Sequence, residues 1–237
     1  MADLYLCLLW KKMRNYYEIS SKTSPLQLTI NSDSIPAAMG SGIFLCGLAV
    51  MTGWFLDIGV LKSISPLWVS MKFSTALSFS LSGIMLCFIA RFQRKNCDLA
   101  TIILPITSSV ILLLMMTLLA SAVIGENMGI EEMFVKDSMT AVGRVTQGRP
   151  AIPTMISFIF IALAGFLTTL DFKRFNKKLT CIGMAIGLLG LTAVFGYILD
   201  QPLLYFTAPG ISSAVACNTA ILFVVCGLGL ILIERDK

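Results

Sequence analysis

The sequence predicts an all-α, polytopic membrane protein with six transmembrane helices. Of its 237 residues, 57% are hydrophobic and only 13% are charged, which leaves too few polar side chains to cover a water-soluble globule. Six apolar runs also have about the 20 residues that a helix needs to cross a hydrocarbon core of about 30 Å. These runs are continuously apolar, whereas the strands of a membrane β-barrel would alternate between polar and apolar positions.

The expected spans lie between the charged segments of the chain. Their approximate bounds are residues 35–56, 74–90, 99–124, 152–170, 179–199 and 213–233. The third run is longer than a straight crossing requires and is expected to tilt. Residues 1–34 are predicted to be a cytoplasmic segment with an interfacial stretch near Trp10, and residues 234–237 a cytoplasmic tail.

The positive charges predict the orientation. Thirteen of the 18 Lys and Arg residues fall on the side that holds the two chain ends, and cytoplasmic loops retain such residues. Both termini are therefore expected inside, in the inner (cytoplasmic) membrane. The net charge of +5 follows from this topology, so the expected partner is the lipid bilayer and no nucleic acid.

The cysteines do not indicate a metal site. None of the seven shows a CxxC spacing, and most lie within spans or on the predicted cytoplasmic side: residues 7, 46, 87, 97, 181, 217 and 226. They are interpreted as small apolar packing residues, with no metal or cofactor expected.

An internal repeat predicts how the helices pair. The even-numbered spans share a Thr, a Phe four residues later and a small residue eight positions after the Thr, which places the three near one helix face. The triplets are Thr75, Phe79 and Gly83; Thr154, Phe158 and Ala162; and Thr219, Phe223 and Gly227. Gly183 and Gly187 add a GxxxG spacing in the fifth span. All eleven are expected to pack helices together.

The odd-numbered spans have a related ending. The first ends with Trp54 and Asp57 and the fifth with Tyr197 and Asp200, while the third is followed by Glu126. Aromatic and acidic residues here would sit at the outer membrane boundary. The predicted architecture is therefore three helical hairpins in sequence, all in the same orientation, without the inverted symmetry of many transporters.

The long outer loop between the third and fourth spans is a candidate functional segment. Within residues 125–150, the stretch Gly129–Phe134 could form an interfacial helix, and the loop could equally be a solvated connector.

Several residue patterns resemble a known family. The phrase Met71 to Leu77, the stretch Gly129–Phe134, and Gly148-Arg149 with Thr154 resemble the multi-pass N-terminal sensor region of bacterial and archaeal membrane histidine kinases. Related regions precede diguanylate cyclases, and the resemblance covers about residues 38–233. It departs from the family pattern at Phe73-Ser74, where the family usually has Pro-Asn before the Thr, and at Pro153, which comes one position late.

The resemblance implies a membrane sensor that signals as a homodimer to a kinase or cyclase output domain. The chain has no histidine to accept a phosphoryl group and no ATP-binding segment, so the output domain is expected on a partner or a longer chain. The candidate receivers of a signal are Trp54, Asp57, Glu126, Arg149, Tyr197 and Asp200.

Two other function classes remain open, and an enzyme is not expected. No span has an ionisable residue near its middle or the paired carboxylates, metal ligands or nucleophile that intramembrane catalysis needs. A small transporter or channel subunit would use a polar path lined by Thr75, Ser78, Ser82, Thr154, Ser157 and Asn218. A scaffold subunit would pack its Met-rich and Gly-rich faces against other helices.

Overall fold

A computed structural model describes residues 34–65, 68–92, 98–125, 149–170, 175–205 and 214–233. Within these ranges all regular structure is helical. The six longer helices are α1 (Ser34–Phe55), α2 (Phe73–Phe92), α3 (Asp98–Ile124), α4 (Ile152–Thr169), α5 (Phe175–Ile198) and α6 (Cys217–Ile231). One helical turn, Gly59–Lys62, follows α1, and a 3-10 turn, Pro202–Leu204, follows α5. Glu126, the stretch Gly129–Phe134 and both predicted cytoplasmic ends (apart from Ser34) lie outside the described residues.

Five of these helices identify the chain as a membrane protein. Helices α1 to α5 are each long and apolar enough to cross a bilayer, whereas α6 is apolar but has 15 residues. Helix α3 also carries an exposed stripe at helical spacing, which is typical of a surface that faces lipid. The stripe includes Leu99, Ile102, Ile106, Val110 and Leu113.

Two helices begin about one turn away from the start of the corresponding predicted span. Helix α5 begins at Phe175 instead of residue 179, because its two lysines, Lys177 and Lys178, lie exposed within the first turn and do not interrupt the helix. Helix α6 begins at Cys217 instead of residue 213. The backbone of Ala216 is extended, and the N–H of Val215 donates to the carbonyl of Tyr205 instead of joining a helix.

The six helices form a closed bundle, and α2 contacts more of the other helices than a neighbour-to-neighbour arrangement requires. Each helix contacts the next one along the chain, α6 also contacts α1, and α2 reaches inward to both α4 and α6. In the apolar stretch of α2, 72% of the residues are buried, against 28% in α1 and in α5. Helix α2 is therefore the central helix of the bundle.

Three phenylalanines fill the centre where the even-numbered helices meet. Phe79, Phe158 and Phe223 are buried, and their ring centroids lie 4.8 to 5.1 Å apart in edge-to-face and tilted pairs. Such pairs are favourable beyond the area that they bury. The threonines one turn earlier, at positions 75, 154 and 219, are each 2% exposed. The repeated Thr and Phe positions thus converge on the centre of the bundle.

Glycines allow two of the neighbouring helix pairs to touch backbone to backbone. A Cβ atom on Gly83 of α2 would lie 2.5 Å from the carbonyl oxygen of Gly40 in α1. In the same way, a Cβ on Gly227 of α6 would lie 2.5 Å from the oxygen of Gly183 and 2.8 Å from the Cα of Gly187, both in α5. Helix α4 has the buried Ala162 at the corresponding position. The pairs α1/α2 and α5/α6 are therefore in closest contact.

Candidate functional site

Five of the six predicted signal-receiving residues lie at one end of the bundle. Helices α1 and α5 end there, each two residues before an aspartate, Asp57 or Asp200, and we call this the aspartate end. Both residues have positive φ angles, of 56° and 50°, which a helix-terminating residue adopts when the chain reverses. The following amides, of Ile58 and Gln201, donate to the carbonyls of Gly53 and Gly196 at 2.9 Å.

Trp54 is anchored to the beginning of α2. Its indole Nε1 donates to the main-chain carbonyl of Met71 over 2.9 Å, and the Trp54 side chain is 7% exposed. The N–H of Met71 in turn donates to the carbonyl of Lys62 at 2.9 Å. Met71, just before α2, is therefore bonded both to the end of α1 and to Lys62 within the loop.

Lys62 is a buried cation within this loop. Its ammonium group forms an ion pair with Asp57 and lies 4.5 Å from the centroid of the Trp54 ring, a cation–π contact. The lysine side chain is 6% exposed and that of Asp57 86% exposed. The hydrogen bond from Lys62, followed by its positive charge, lowers the pKa of the Asp57 carboxyl.

The end of α5 has matching contacts with another set of side chains. The hydroxyl of Tyr197 donates to the carbonyl of Val215 at 2.9 Å, as Trp54 does to Met71. Tyr205 stacks on the Tyr197 ring with centroids 4.2 Å apart, where Lys62 covers Trp54. Asp200 takes the place of Asp57, but Tyr205 brings no positive charge to it.

Arg149 provides a third connection between neighbouring helices. It precedes α4, is 4% exposed, and donates from Nη2 to the hydroxyl of Ser121 near the end of α3 at 2.8 Å. The pairs α1/α2, α3/α4 and α5/α6 each have a side-chain hydrogen bond at the aspartate end: Trp54 to Met71, Arg149 to Ser121, and Tyr197 to Val215.

Two contacts connect the first loop to the last pair of helices. The side-chain amide of Asn218, in the first turn of α6, donates to the carbonyl of Lys62 at 3.3 Å. The ring of Trp68 lies 5.1 Å from that of Tyr197. Residues far apart in the sequence therefore form one cluster, which we call the loop cluster: Trp54, Asp57, Lys62, Trp68, Tyr197, Tyr205 and Asn218.

The sequence did not indicate most of this cluster. Lys62 was counted only as a charge on the outer side, and Asn218 only as a residue of a polar path. Trp68 and Tyr205 were not selected at all. The sequence did contain one signal for Lys62 and Tyr205, namely their separation. They are 143 positions apart, and Trp54 and Tyr197 are separated by the same number of positions.

The loop cluster has the groups of a binding surface. It offers aromatic faces, a carboxylate and a buried ammonium group. Among the described residues, no three His, Cys, Asp or Glu side chains lie close enough to hold a metal ion. In comparisons with known proteins, no family model, curated protein or solved structure matches the chain.

Proposed function

We propose that this protein is a membrane-embedded sensor module, without catalytic activity of its own, that passes a signal from the aspartate end along α6. The observation that carries the proposal is the hydrogen bond from Asn218 to the carbonyl of Lys62. It joins the first turn of α6 to a buried cation whose ion-pair partner, Asp57, is exposed. A signal that changes the loop would therefore act directly on α6.

We infer that the chain has six spans arranged as three hairpins of the same orientation. The matching hydrogen bonds of Trp54 and Tyr197 support this inference, as do the three phenylalanines that meet at the centre. Helix α6 has its Phe223 level with Phe79 of a full-length span, and residues 214–216 and 232–233 extend its apolar stretch. An even number of spans places both termini on the same side of the membrane. The excess of positive charge on that side would make it the cytoplasmic side of the inner membrane.

The packing of α6 supports its role as the transmitting element. Gly227 brings α6 into backbone contact with Gly183 and Gly187 of α5, while Phe223 contacts α2 and α4. Such a helix moves as a unit, because a change at its first turn is not absorbed by soft side-chain packing. The output would be a kinase or cyclase domain on a partner or a longer chain, and the working unit a homodimer.

The transporter alternative receives less support. Three of the six side chains of its expected path donate hydrogen bonds to main-chain carbonyls: Ser82 to Ser78, Ser157 to Pro153, and Asn218 to Lys62. The three central phenylalanines occupy the place where the even-numbered helices would have to part. No contact among the described residues specifically favours the scaffold alternative.

A fusion experiment tests the proposal. The chain would be joined after α6 to a coiled coil and a kinase domain, and phosphorylation would be measured in membranes. We expect Asn218→Ala to change the basal output several-fold, because it frees α6 from the loop. Thr192→Val is the matched control, since Thr192 is exposed and its hydroxyl donates to the carbonyl of Leu189 in its own helix.

The receiver assignment has a separate test in the same fusion. Asp57→Asn combined with Asp200→Asn should alter the output if these carboxylates receive the signal. If the Asn218 variant and this double variant both behave like the unmodified fusion, the sensor proposal is wrong.

A further inference from the structure

The chain folds back on itself after each of the two aspartates. Leu61 packs against the last turn of α1, where a Cβ atom on Gly53 would lie 2.6 Å from the Leu61 Cβ. Leu204 packs against the last turn of α5 in the same way, 2.8 Å from a Cβ placed on Gly196. Each leucine therefore lies beside a residue that precedes the end of its helix, and both turns return to the level of the apolar helices.

The two turns share their backbone geometry. In each, the amide of the leucine donates to the carbonyl three residues earlier, from Leu61 to Ile58 at 3.2 Å and from Leu204 to Gln201 at 3.1 Å. Their sequences differ, since one turn contains a glycine and a lysine and the other a proline. The repeated geometry therefore extends from the helix ends into the turns.

Each turn presents an apolar side chain at its surface. Val60 and Leu203 occupy equivalent positions and are almost fully exposed, at 81% and 78%. The one charged residue of the two turns, Lys62, is buried. Exposed apolar groups are unfavourable in water and favourable in an apolar medium, so both turns are better suited to lipid than to water.

The turns continue the exposed apolar surface of α1 and α5. Phe55 and Ile198, at equivalent positions in the last turns of these helices, are each 70% exposed. Leu56 and Leu199 follow them and are exposed as well. Because the turns fold back to the level of these side chains, the bilayer that surrounds the two helices also reaches the turns.

A second copy of the chain is the other occupant that could cover this surface. The same apolar exposure occurs at the ends of two different helices, and a protein partner would need a matching face for each of them. The bilayer surrounds every span and needs no such match. Lipid is therefore the occupant that the repeated exposure favours.

Each turn leads directly into a contact of the loop cluster. Lys62, which follows Leu61, lies 4.5 Å from the centroid of the Trp54 ring. Tyr205, which follows Leu204, stacks on Tyr197 with ring centroids 4.2 Å apart. A shift of either turn would move the cation or the ring that follows it.

We propose that the turns Gly59–Lys62 and Pro202–Leu204 lie within the leaflet at the aspartate end and couple the loop cluster to it. Val60 and Leu203 contact the acyl chains near the headgroups. This inference rests on the proposed function in one respect, namely that the stimulus of the sensor is a change in the thickness of the bilayer and not a dissolved solute.

Tryptophan fluorescence measures where the turns lie. Val60→Trp and Leu203→Trp would be reconstituted in phosphatidylcholine vesicles, and the emission added to that of the three native tryptophans would be recorded. Leu113→Trp is the lipid control, since Leu113 is 66% exposed on α3. We expect lipids with brominated acyl chains to quench the added emission at least half as strongly as in this control. Iodide should quench it several-fold less than free N-acetyltryptophanamide.

Cysteine variants repeat the measurement with a small side chain, because tryptophan itself favours the membrane interface. Val60→Cys and Leu203→Cys should react several-fold more slowly with a membrane-impermeant maleimide than Gln201→Cys, in vesicles made permeable so that both faces are reached. Gln201 is the matched control because it is an exposed polar residue next to the second turn. The rate of the wild type, with its native cysteines, is subtracted.

Two results would overturn the location of the turns in lipid. In the first, iodide quenches the added emission as strongly as that of the free compound, or the turn cysteines react as fast as Gln201→Cys, which places the turns in water. In the second, neither quencher reaches the added tryptophans, which means that protein, such as a second copy of the chain, covers them.

The coupling is tested in the kinase fusion. Its output should change several-fold between bilayers of short and long acyl chains, and Val60→Ser with Leu203→Ser should reduce this change. Leu113→Ser, on α3, is the matched control and should leave the change intact. An output that ignores chain length overturns the coupling. Because the location is measured without an output domain, its failure is distinguishable from failure of the sensor proposal.

Discussion

Gly40 on α1 and Gly83 on α2 approach so closely that a Cβ atom on Gly40 would lie 2.8 Å from the Gly83 carbonyl oxygen. A methyl group there must push the two helices apart. Small residues at such crossings permit the close packing that holds membrane helices together. The contact is between backbones, so a rotation of one side chain cannot relieve it.

Gly40→Ala is therefore expected to destabilise the protein by about 1–3 kcal/mol through overpacking. Gly42→Ala is the control on the same helix, because no atom lies within 4 Å of a Cβ at that position. The control should be neutral or stabilising by about 0.5–1 kcal/mol, as alanine is favoured over glycine within a helix. Unfolding in mixed micelles of increasing SDS content measures both, and equal effects would contradict the close approach.

Tyr197→Phe tests the hydrogen bond to Val215. The substitution preserves the ring that stacks on Tyr205 and removes only the hydroxyl, which leaves a partly buried carbonyl without its donor. We expect a loss of about 1 kcal/mol of stability. Phe195→Leu on the same helix is the control, since Phe195 is exposed. A Tyr197 variant as stable as this control would mean that the hydrogen bond contributes nothing.

The central phenylalanines should couple energetically. Phe79→Ala and Phe158→Ala each remove a fully buried ring, and we expect each to cost about 3 kcal/mol or more. Because the rings touch at 4.8 Å, the cost of the double variant should differ from the sum by about 0.5–1.5 kcal/mol. Strict additivity in a double-mutant cycle would argue against direct contact.

The ion pair of Asp57 and Lys62 should respond unequally to loss of each partner. Asp57→Asn leaves a buried ammonium group without its counter-ion, whereas Lys62→Met removes the buried charge itself and keeps an aliphatic chain over Trp54. Removal of one partner from a buried charge is more costly than an apolar replacement of that charge. We expect the Asn variant to be the less stable of the two in thermal unfolding, and the reverse order would rule out a buried Lys62.

The same pair predicts a dependence on pH. The folded-state pKa of Asp57 is lowered, so its contribution is present above the ordinary carboxyl value near about 3.9 and disappears as the pH falls through the lowered folded value. Thermal stability should therefore decline at acid pH in the wild type more steeply than in Asp57→Asn. Parallel curves would show that this carboxyl does not contribute.

The amino-acid sequence was sufficient for the membrane class and for most helix positions. A continuous apolar run in lipid satisfies its backbone hydrogen bonds by forming a helix. Helices α1 to α4 begin and end within about two residues of the predicted spans. Helix α5 begins about one turn before its predicted span, and α6 begins about one turn after the start of its predicted span. Lysines at a helix end do not stop a helix, and an extended segment of small apolar residues resembles a span in composition.

The candidate site depended on the tertiary structure. Asn218 and Lys62 are separated by 156 positions, and only the closing of the ring by α6 against α1 brings them together. Local composition carries no information about such a pairing, because Lys62 has the same charge whether it faces water or lies against Trp54. Likewise, Ser74, Ser78 and Ser157 are alike in the sequence. Packing decided that Ser157 bonds to its own helix, while the hydroxyls of Ser74 and Ser78 are buried without a hydrogen-bond partner among the described residues.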